Sequence, residues 1–412
     1  MRILNFGSCN IDYVYTVDHI VRAGETLPAD GMEQFVGGKG LNQSVALANA
    51  GAEVYHAGSI GEDGKLLKDY MESCGVNLDY LKTTDGKSGQ AIIQLDKNGE
   101  NCIFLYAGAN HQIDKVYIDE VLNHFDKGDF ILLQNEINNL PYIIDASYRK
   151  GLNIVFNPAP FTENLTNISL EKLHTIILNE VECQGFSDGA DPEVFLNKMS
   201  KEYPKLNCVV TLGSQGSVFS NGKERHVQSA FKVKTVDTTA AGDTFVGFFL
   251  AAITGGSEAK RALELASMAA ALTVSKKGAA PSIPVLEDVL SMDGKMSPFM
   301  ASHDFRDKTI SYIRTAEVPD LGDLAASLGY TKSYTSRKIS CEFGFTFSSL
   351  VLNYRCQKAA ELLKSTDLSI SEIIKQIGYE NESFFRRKFQ SLYGANPLEF
   401  RKMQKEITTD DT

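Results

Sequence analysis

Asp237-Thr-Thr-Ala-Ala-Gly-Asp243 sets a carboxylate directly behind a run of small residues, where a polar loop becomes the apolar stretch 244–253. If that stretch is helical, the Ala240, Ala241 and Gly242 amides form its first turn. They lack intrahelical acceptors and sit at the positive end of the dipole, so they can hold a phosphoryl group whose charge is spreading. Asp243 beside them is then the base that takes a proton from an attacking hydroxyl. An acid in a first turn also serves as a cap or dipole partner, so other segments must decide.

Phe35-Val-Gly-Gly-Lys-Gly-Leu-Asn42 opens a helical stretch at 42–50. Its glycines let backbone amides approach a ligand, and Asn42 can bond hydroxyls. The P-loop pattern GxxxxGK[ST] is absent here and elsewhere. Asn10 and Asp12 follow the first apolar run and project from one loop. Paired acceptors of this kind suit vicinal sugar hydroxyls, although Asx turns use the same residues. Asn179-Glu-Val-Glu182 follows another apolar run. An amide and a carboxylate at that spacing can steer Mg²⁺ through waters, or simply begin a helix. Thr211-Leu-Gly-Ser-Gln-Gly216 can pass nucleotide phosphates over exposed amides.

Together these segments resemble the ribokinase/PfkB family of carbohydrate kinases over nearly all of residues 1–290, in the family's order and spacing, and Lys277-Gly-Ala-Ala-Pro-Ser282 extends the match. The resemblance implies a kinase using ATP, Mg²⁺ and K⁺. By it, Asp243 is the catalytic base and Ala240, Ala241 and Gly242 form the anion hole. Asn10, Asp12, Gly38, Lys39, Gly40, Asn42 and Glu136 hold the sugar with Asp243. Asn179, Thr211, Leu212, Gly213, Ser214, Gln215, Gly216, Gly242 and Ser267 fall on the ATP site, and Asn179 with Glu182 on a water-mediated Mg²⁺ site. Asp237, Thr239, Thr273, Lys276, Gly278 and Ser282 fall where ribokinases coordinate a monovalent cation, Lys276 only through its carbonyl. Phe248 stands where a small residue is usual, and Ser267 where some ribokinases carry a bulkier adenine contact. Gly-Gly-Lys-Gly-x-Asn-Gln with Asn-x-Asp looks ribokinase-like rather than fructokinase-like. The expected substrate is ribose or a related pentose with a free primary hydroxyl; a nucleoside or another sugar stays open.

The elements that must position these groups alternate. Apolar β-rich runs at 3–6, 130–133, 153–156, 175–178 and 208–212 lie between helical patterns at 42–50, 66–74, 141–150, 192–201 and 244–253. Repeated strand-helix units predict an α/β fold, a parallel sheet with helices on both faces and ligands beyond the strands' carboxyl ends. Runs at 90–96 and 101–107 flank Lys97-Asn98-Gly99-Glu100. Asn-Gly signals a hairpin, because a type I′ turn needs positive φ at both positions. With runs at 12–17 and 33–36, this predicts a small β lid (strands about 12–36 and 89–107). Such a flap can cover a site or pair two copies, and a homodimer is expected.

Domain boundaries are expected at 1–290 for the kinase, 291–304 for a linker and 305–405 for a helical tail. In the tail, Leu324-Ala-Ala-Ser-Leu-Gly-Tyr330 matches Ile373-Ile-Lys-Gln-Ile-Gly-Tyr379, a two-copy repeat suited to a double helix-turn-helix. With Ser383-Phe-Phe-Arg-Arg-Lys-Phe389 and Gly394-Ala-Asn-Pro-Leu-Glu-Phe-Arg401, this resembles the all-α DNA-binding domain of AraC/XylS-type regulators. The resemblance implies that helices at 332–343 and 382–392 enter the major groove of double-stranded DNA about one turn apart. Ser333, Tyr334, Arg337, Lys338, Glu382, Ser383, Arg386 and Arg387 are the candidate DNA contacts. Ile339 stands where an aromatic is common. Phe384, Phe385 and Phe389 are expected in the core.

Residues 301–412 hold 16 Lys and Arg against 15 Asp and Glu, which leaves a net of −12 on the first 300 residues of a chain at −11. Any polyanion is therefore met by the tail. The seven cysteines show no CxxC pair and the seven histidines no ligand spacing, so reduced thiols are expected. Apolar runs reach only about ten residues, too short for a bilayer. The start reads as a strand, not a signal peptide, so the expected location is the cytoplasm. Two other readings compete with a kinase fused to a transcription regulator: a silent sugar or nucleotide sensor controlling transcription, and a nucleoside kinase with a docking tail.

Overall fold

A computed structural model describes residues 1–187, 189, 191–292, 303–316, 318–328, 332, 335, 336, 339, 343, 346–366, 368–378 and 382–402. The chain forms two compact units, Met1–Phe299 and Met300–Thr412. Most of the expected linker, 293–302, lies outside the described residues, and the chain is helical from His303.

The described residues of the first unit form the strands β1 (Ile3–Phe6), β2 (Asn10–Val17), β3 (Gly31–Gly37), β4 (Val54–Ile60), β5 (Asn77–Thr83), β6 (Gly89–Asp96), β7 (Asn101–Tyr106), β8 (Phe130–Gln134), β9 (Asn153–Asn157), β10 (Thr175–Asn179), β11 (Asn207–Thr211), β12 (Ser217–Ser220) and β13 (Arg225–Gln228). Its helices are α1 (Lys39–Asn49), α2 (Lys65–Ser73), α3 (Lys115–Asn123), α4 (Leu140–Lys150), α5 (Glu180–Phe186), α6 (Pro192–Glu202), α7 (Ala241–Thr254), α8 (Ala259–Val274) and α9 (Leu286–Ser291).

Nine strands form one sheet in the order β13-β12-β11-β10-β9-β8-β1-β4-β5. From β11 to β5 all neighbours run parallel, while β12 and β13 run antiparallel at the edge, a departure from the all-parallel expectation. The reason is loop length: only Leu212–Gly216 joins β11 to β12, and a parallel return needs a crossover of about a dozen residues. Strand order reverses between β1 and β8, which makes their carboxyl ends a topological switch point.

Alternate side chains of the central strands feed two separate cores. Ile3, Leu132, Val155, Ile177 and Val209 pack with α1, α2, α7, α8 and α9, whereas Leu4, Ile131, Ile154, Ile176 and Val210 pack with α3, α4 and α6. Each fully buried aliphatic side chain contributes about 1.5–3 kcal/mol. Phe248 of α7 is 1% exposed inside the first core, so its bulk fills packing space. One close approach sets the geometry of the site. A Cβ on Gly247 of α7 would lie 2.4 Å from the Ala46 Cβ of α1, so glycine lets these two helices touch backbone to backbone.

The expected lid is a four-stranded sheet, β3-β2-β6-β7. Its hairpin differs from the expected turn: Asp96 N bonds to Glu100 O, and Gly99 has φ 84° while Asn98 does not have positive φ. This is a three-residue loop with one left-handed glycine, braced by the Asp96 carboxylate on the Asn98 and Glu100 amides.

In the second unit, α10 (His303–Thr315), α11 (Leu321–Ser327), α12 (Phe347–Ser365), α13 (Ile370–Gln376) and α14 (Glu382–Tyr393) are described. The repeat is real in three dimensions, since α11 and α13 are both seven-residue helices at equivalent positions, capped by Asp320 and Ser369. Helix α12 joins two small cores. Its Phe347 and Leu350 pack with Ile313, Leu324 and Ile339, and its Cys356, Ala359 and Leu363 pack with Ile373, Ile374, Phe385 and Phe389. Ile339 thus fills the core position of the first copy. Phe385 and Phe389 are core residues, as expected; the Phe384 side chain lies outside the described residues.

Candidate active site and nucleic-acid interface

The carboxyl ends of β1, β8, β9, β10 and β11 bring Ser8, Glu136, Asn157, Asn179 and Thr211 to one end of the sheet. Asp243 arrives from α7 and is 6% exposed. Its Oδ2 accepts from Asn42 Nδ2 at 3.0 Å and its Oδ1 from Gln43 Nε2 at 2.9 Å, both on α1. The Lys39 ammonium stands 3.9 Å from Oδ1. Close packing at Gly247 therefore joins two motifs about 200 residues apart in sequence.

Helix α7 begins one residue later than the expected amide set. Ala240 is its N-cap, with φ 59° in the left-handed region, and Thr244 N bonds back to Ala240 O at 2.8 Å. Ala241 N bonds back to Thr238 O at 3.4 Å, so among the described residues the unpaired first-turn amides are those of Gly242 and Asp243. A left-handed alanine costs about 1–2 kcal/mol, the kind of strain found at functional sites. A Cβ on Gly242 would meet nothing within 4 Å, so the turn is open on that side.

On the opposite wall, Asn10 Oδ1 accepts from Asn110 Nδ2 at 2.8 Å, and Asp12 sits so close over Gly37 that a Cβ there would lie 2.1 Å from its Oδ2. Glu136 Oε2 accepts from the Ser8 hydroxyl and the Lys39 amide. Gly38 has φ 92°, and a Cβ on Gly40 would lie 2.3 Å from Ser8 N, so both positions need glycine. Burial, with the Glu136 charge, pushes the Asp12 carboxyl up to about 7. Burial also raises Glu136, against the Ser8 hydroxyl and Lys39. Asp243 in turn raises Lys39, helped by Glu136 and Glu182. Asn42 Oδ1 is buried without a hydrogen-bond partner among the described residues.

Asn179 and Thr211 are register neighbours at the ends of β10 and β11. Asn179 and Glu182 bond to each other as a capping box on α5, and burial raises the Glu182 carboxyl. The loop Leu212-Gly213-Ser214-Gln215-Gly216 closes on itself through Leu212 N to Gly216 O. Gly216 needs glycine, with φ 105° and Gln228 O where a Cβ would go. Ser267 on α8 is 3.5 Å from the Ser217 hydroxyl. Asp237 accepts from the Thr239 hydroxyl and amide and from the Gly278 amide. Burial opposes its charge, but those bonds hold its carboxyl below the usual range. Thr273 and Ser282 spend their hydroxyl protons elsewhere, on Thr244 and Ala279, and Lys276 N bonds Thr273 O. Among the described residues no cluster of three or more His, Cys, Asp and Glu forms a cation site.

The profile of the pfkB family of carbohydrate kinases matches residues 2–286. The chain belongs to that family. A ribokinase of Schizosaccharomyces pombe is 34% identical to this pfkB kinase over 316 residues, 72% of this chain and 98% of its own. The crystal structure of ribokinase from Cryptococcus neoformans in complex with ADP is similar at TM-score 0.63 and 32% identity, covering 70% of this chain and 99% of that one. Arabidopsis thaliana ribokinase complexed with ribose and ATP is similar at TM-score 0.62 and 29% identity, over 70% and 97% of the two chains.

Outside its kinase unit, the pfkB chain matches a helix-turn-helix domain at residues 324–403. Of the candidate contacts, Ser333, Tyr334, Arg337 and Lys338 lie outside the described residues. Glu382, Ser383, Arg386 and Arg387 all lie on α14. Ser383 and Arg387 are exposed, while Arg386 is tied to Glu382 one turn away at 2.6 Å. No described helix is long and apolar enough to cross a membrane.

Motif reading did not anticipate Asn5, Gln134, Asn157 or Asn110, and it included Gln43 without giving it a role; all are buried polar residues around the site. One signal was available: Gln134 is the polar final residue of the otherwise apolar β8, and Asn157 follows the apolar run Ile154-Val155-Phe156 of β9.

Proposed function

We propose that the kinase unit transfers the γ-phosphoryl group of ATP to the primary hydroxyl of ribose or a related pentose. The observation that carries this reading is the buried Asp243 carboxylate, held by Asn42 and Gln43 of the glycine-rich loop in the open first turn of α7. Asn10, Asp12, Lys39, Asn42 and Glu136 bind the sugar, and the orphan Asn42 Oδ1 accepts one of its hydroxyls. Asp243 takes the hydroxyl proton as the sugar oxygen bonds to phosphorus. The bond to the β–γ bridging oxygen breaks, and ADP leaves. The amides of Gly242 and Asp243, with the helix dipole, receive the charge on the transferring group. Asn179, residues 211–216 and Ser267 line the nucleotide side.

Asn179 and Glu182 would hold Mg²⁺, which would supply neutralisation of phosphate charge. K⁺ is assigned to the loops of Asp237 and Gly278, whose mutual hydrogen bond brings oxygen-rich backbone together. The helix-turn-helix domain binds double-stranded DNA sequence-specifically through α14, so the chain couples sugar phosphorylation to gene control in the cytoplasm. A homodimer pairs through the lid.

The test is Asp243→Asn. Phosphorylation is expected to fall by about 10²–10⁴ while pentose binding, read by calorimetry, survives. Parent-like turnover in this variant removes Asp243 from the chemistry.

A further inference from the structure

Beneath Asp243 lies a run of buried amides that no step above uses. Asn5, Gln43 and Gln134 are at most 1% exposed, and Asn157 is 7% exposed. Asn5 Nδ2 donates to Gly40 O at 2.7 Å, which leaves Asn5 Oδ1 to accept from Gln134 Nε2 at 2.9 Å. The same Gln134 nitrogen donates to Gln43 Oε1 at 2.7 Å. Gln43 Nε2 then faces two oxygens, Asn157 Oδ1 and Asp243 Oδ1, each at 2.9 Å. Asn157 Nδ2 closes the run on Ile177 O at 2.9 Å.

Both ends of this run are backbone carbonyls, which can only accept, so the direction of every amide between them is set. Turning the Gln43 amide over would aim its oxygen at the Asp243 and Asn157 oxygens, and its nitrogen at a donor. A second observation shows that this sense is kept against a penalty. Gln134 Oε1 is buried with no partner among the described residues, and reversing Gln134 to relieve it would break its bonds to both Asn5 and Gln43.

We infer that Gln43 is a positioning residue for phosphoryl transfer: the Asn5–Gln134–Gln43–Asn157 relay holds its amide as a permanent donor to Asp243 Oδ1. The donor locks the plane of the Asp243 carboxylate. It acts alongside the other groups facing Asp243, namely Asn42, the Lys39 cation, and the Glu136 and Glu182 carboxyls. The inference rests on the reading of Asp243 as the base.

The test uses the full chain. Gln43→Met keeps the volume and removes the donor. Its kcat is expected to fall at least tenfold and the acidic limb of its kcat–pH profile to move up by about one pH unit, with pentose dissociation constant unchanged within about twofold. Gln43→Glu, nearly isosteric, places a second carboxyl beside Asp243 and is expected to move the limb further the same way. If Gln43→Met does not fold, Gln43→Glu decides alone. An unmoved acidic limb in a folded variant overturns the relay, even where kcat falls, because a merely structural role lowers activity without changing the pH at which the base ionises. Turnover retained in Asp243→Asn instead overturns the base assignment itself, so the two failures are separable.

Discussion

Asp12 shows how much chemistry a single half-buried carboxylate can hold. Burial and the Glu136 charge raise it to about 7 in the free protein, so near neutrality it is partly protonated. A sugar whose hydroxyls donate to the carboxylate must displace that proton below pH 7. Pentose affinity is therefore expected to level off above about pH 8 and to weaken by up to about tenfold per pH unit below 7. Calorimetric titration between pH 6 and 8 measures this, and Asp12→Asn should flatten it. A flat profile in the unaltered protein would contradict the role given to Asp12. The motifs made Asp12, Asn42 and Asp243 legible, although Asp12, expected on a loop, lies on β2, whose pairing with β3 fixes its place. Gln43 closed the glycine-rich motif, but its role was hidden: a glutamine inside a helix carries no local sign of a partner that lies 200 residues away.

At the scale of elements, the site depends on how closely α1 and α7 approach. Gly247→Ala puts a methyl 2.4 Å from the Ala46 Cβ and 2.9 Å from the Ala46 carbonyl carbon and the Leu47 nitrogen, so α7 must shift. Overpacking costs about 1–3 kcal/mol, against a gain of about 1 kcal/mol in helix propensity. A small net loss of stability in urea is expected, together with a fall in kcat of about 10²-fold as Asp243 leaves the reach of Asn42 and Gln43. Unchanged turnover would mean that the helix contact does not set the base. Helix α14 carries a different expectation. Arg387 is exposed beside an Arg386 held by Glu382. Arg387→Ala should weaken binding to a selected DNA duplex and reduce the magnitude of the salt slope by about one, with kinase turnover unchanged. An unaltered dissociation constant at fixed salt would count against α14 as the reading helix. The elements themselves were largely readable: the β lid, the strand-helix alternation and the paired α11 and α13 all follow from periodicity. The turn at Gly99 and the direction of β12 were not, because loop length and a capping Asp96 side chain decided them.

For the whole molecule, the exposed lid edge makes the clearest demand. Ile103, Phe104, Leu105 and Tyr106 form consecutive residues of β7, each 51–56% exposed. An uncovered apolar edge strand is a pairing site. The full chain is expected to be a dimer by light scattering, and Phe104→Glu to yield monomers. A monomeric parent protein would remove the lid from assembly. From primary structure alone one could read two units of different class, the loops that meet phosphate and sugar, and a duplicated helical motif, because each is written in short-range backbone and turn chemistry. The meeting of Asp243 with Gln43, the left-handed cap at Ala240 and the direction of the amide relay had to await the fold. They arise where distant segments pack, and a hydrogen bond's sense depends on partners that no single stretch of chain contains.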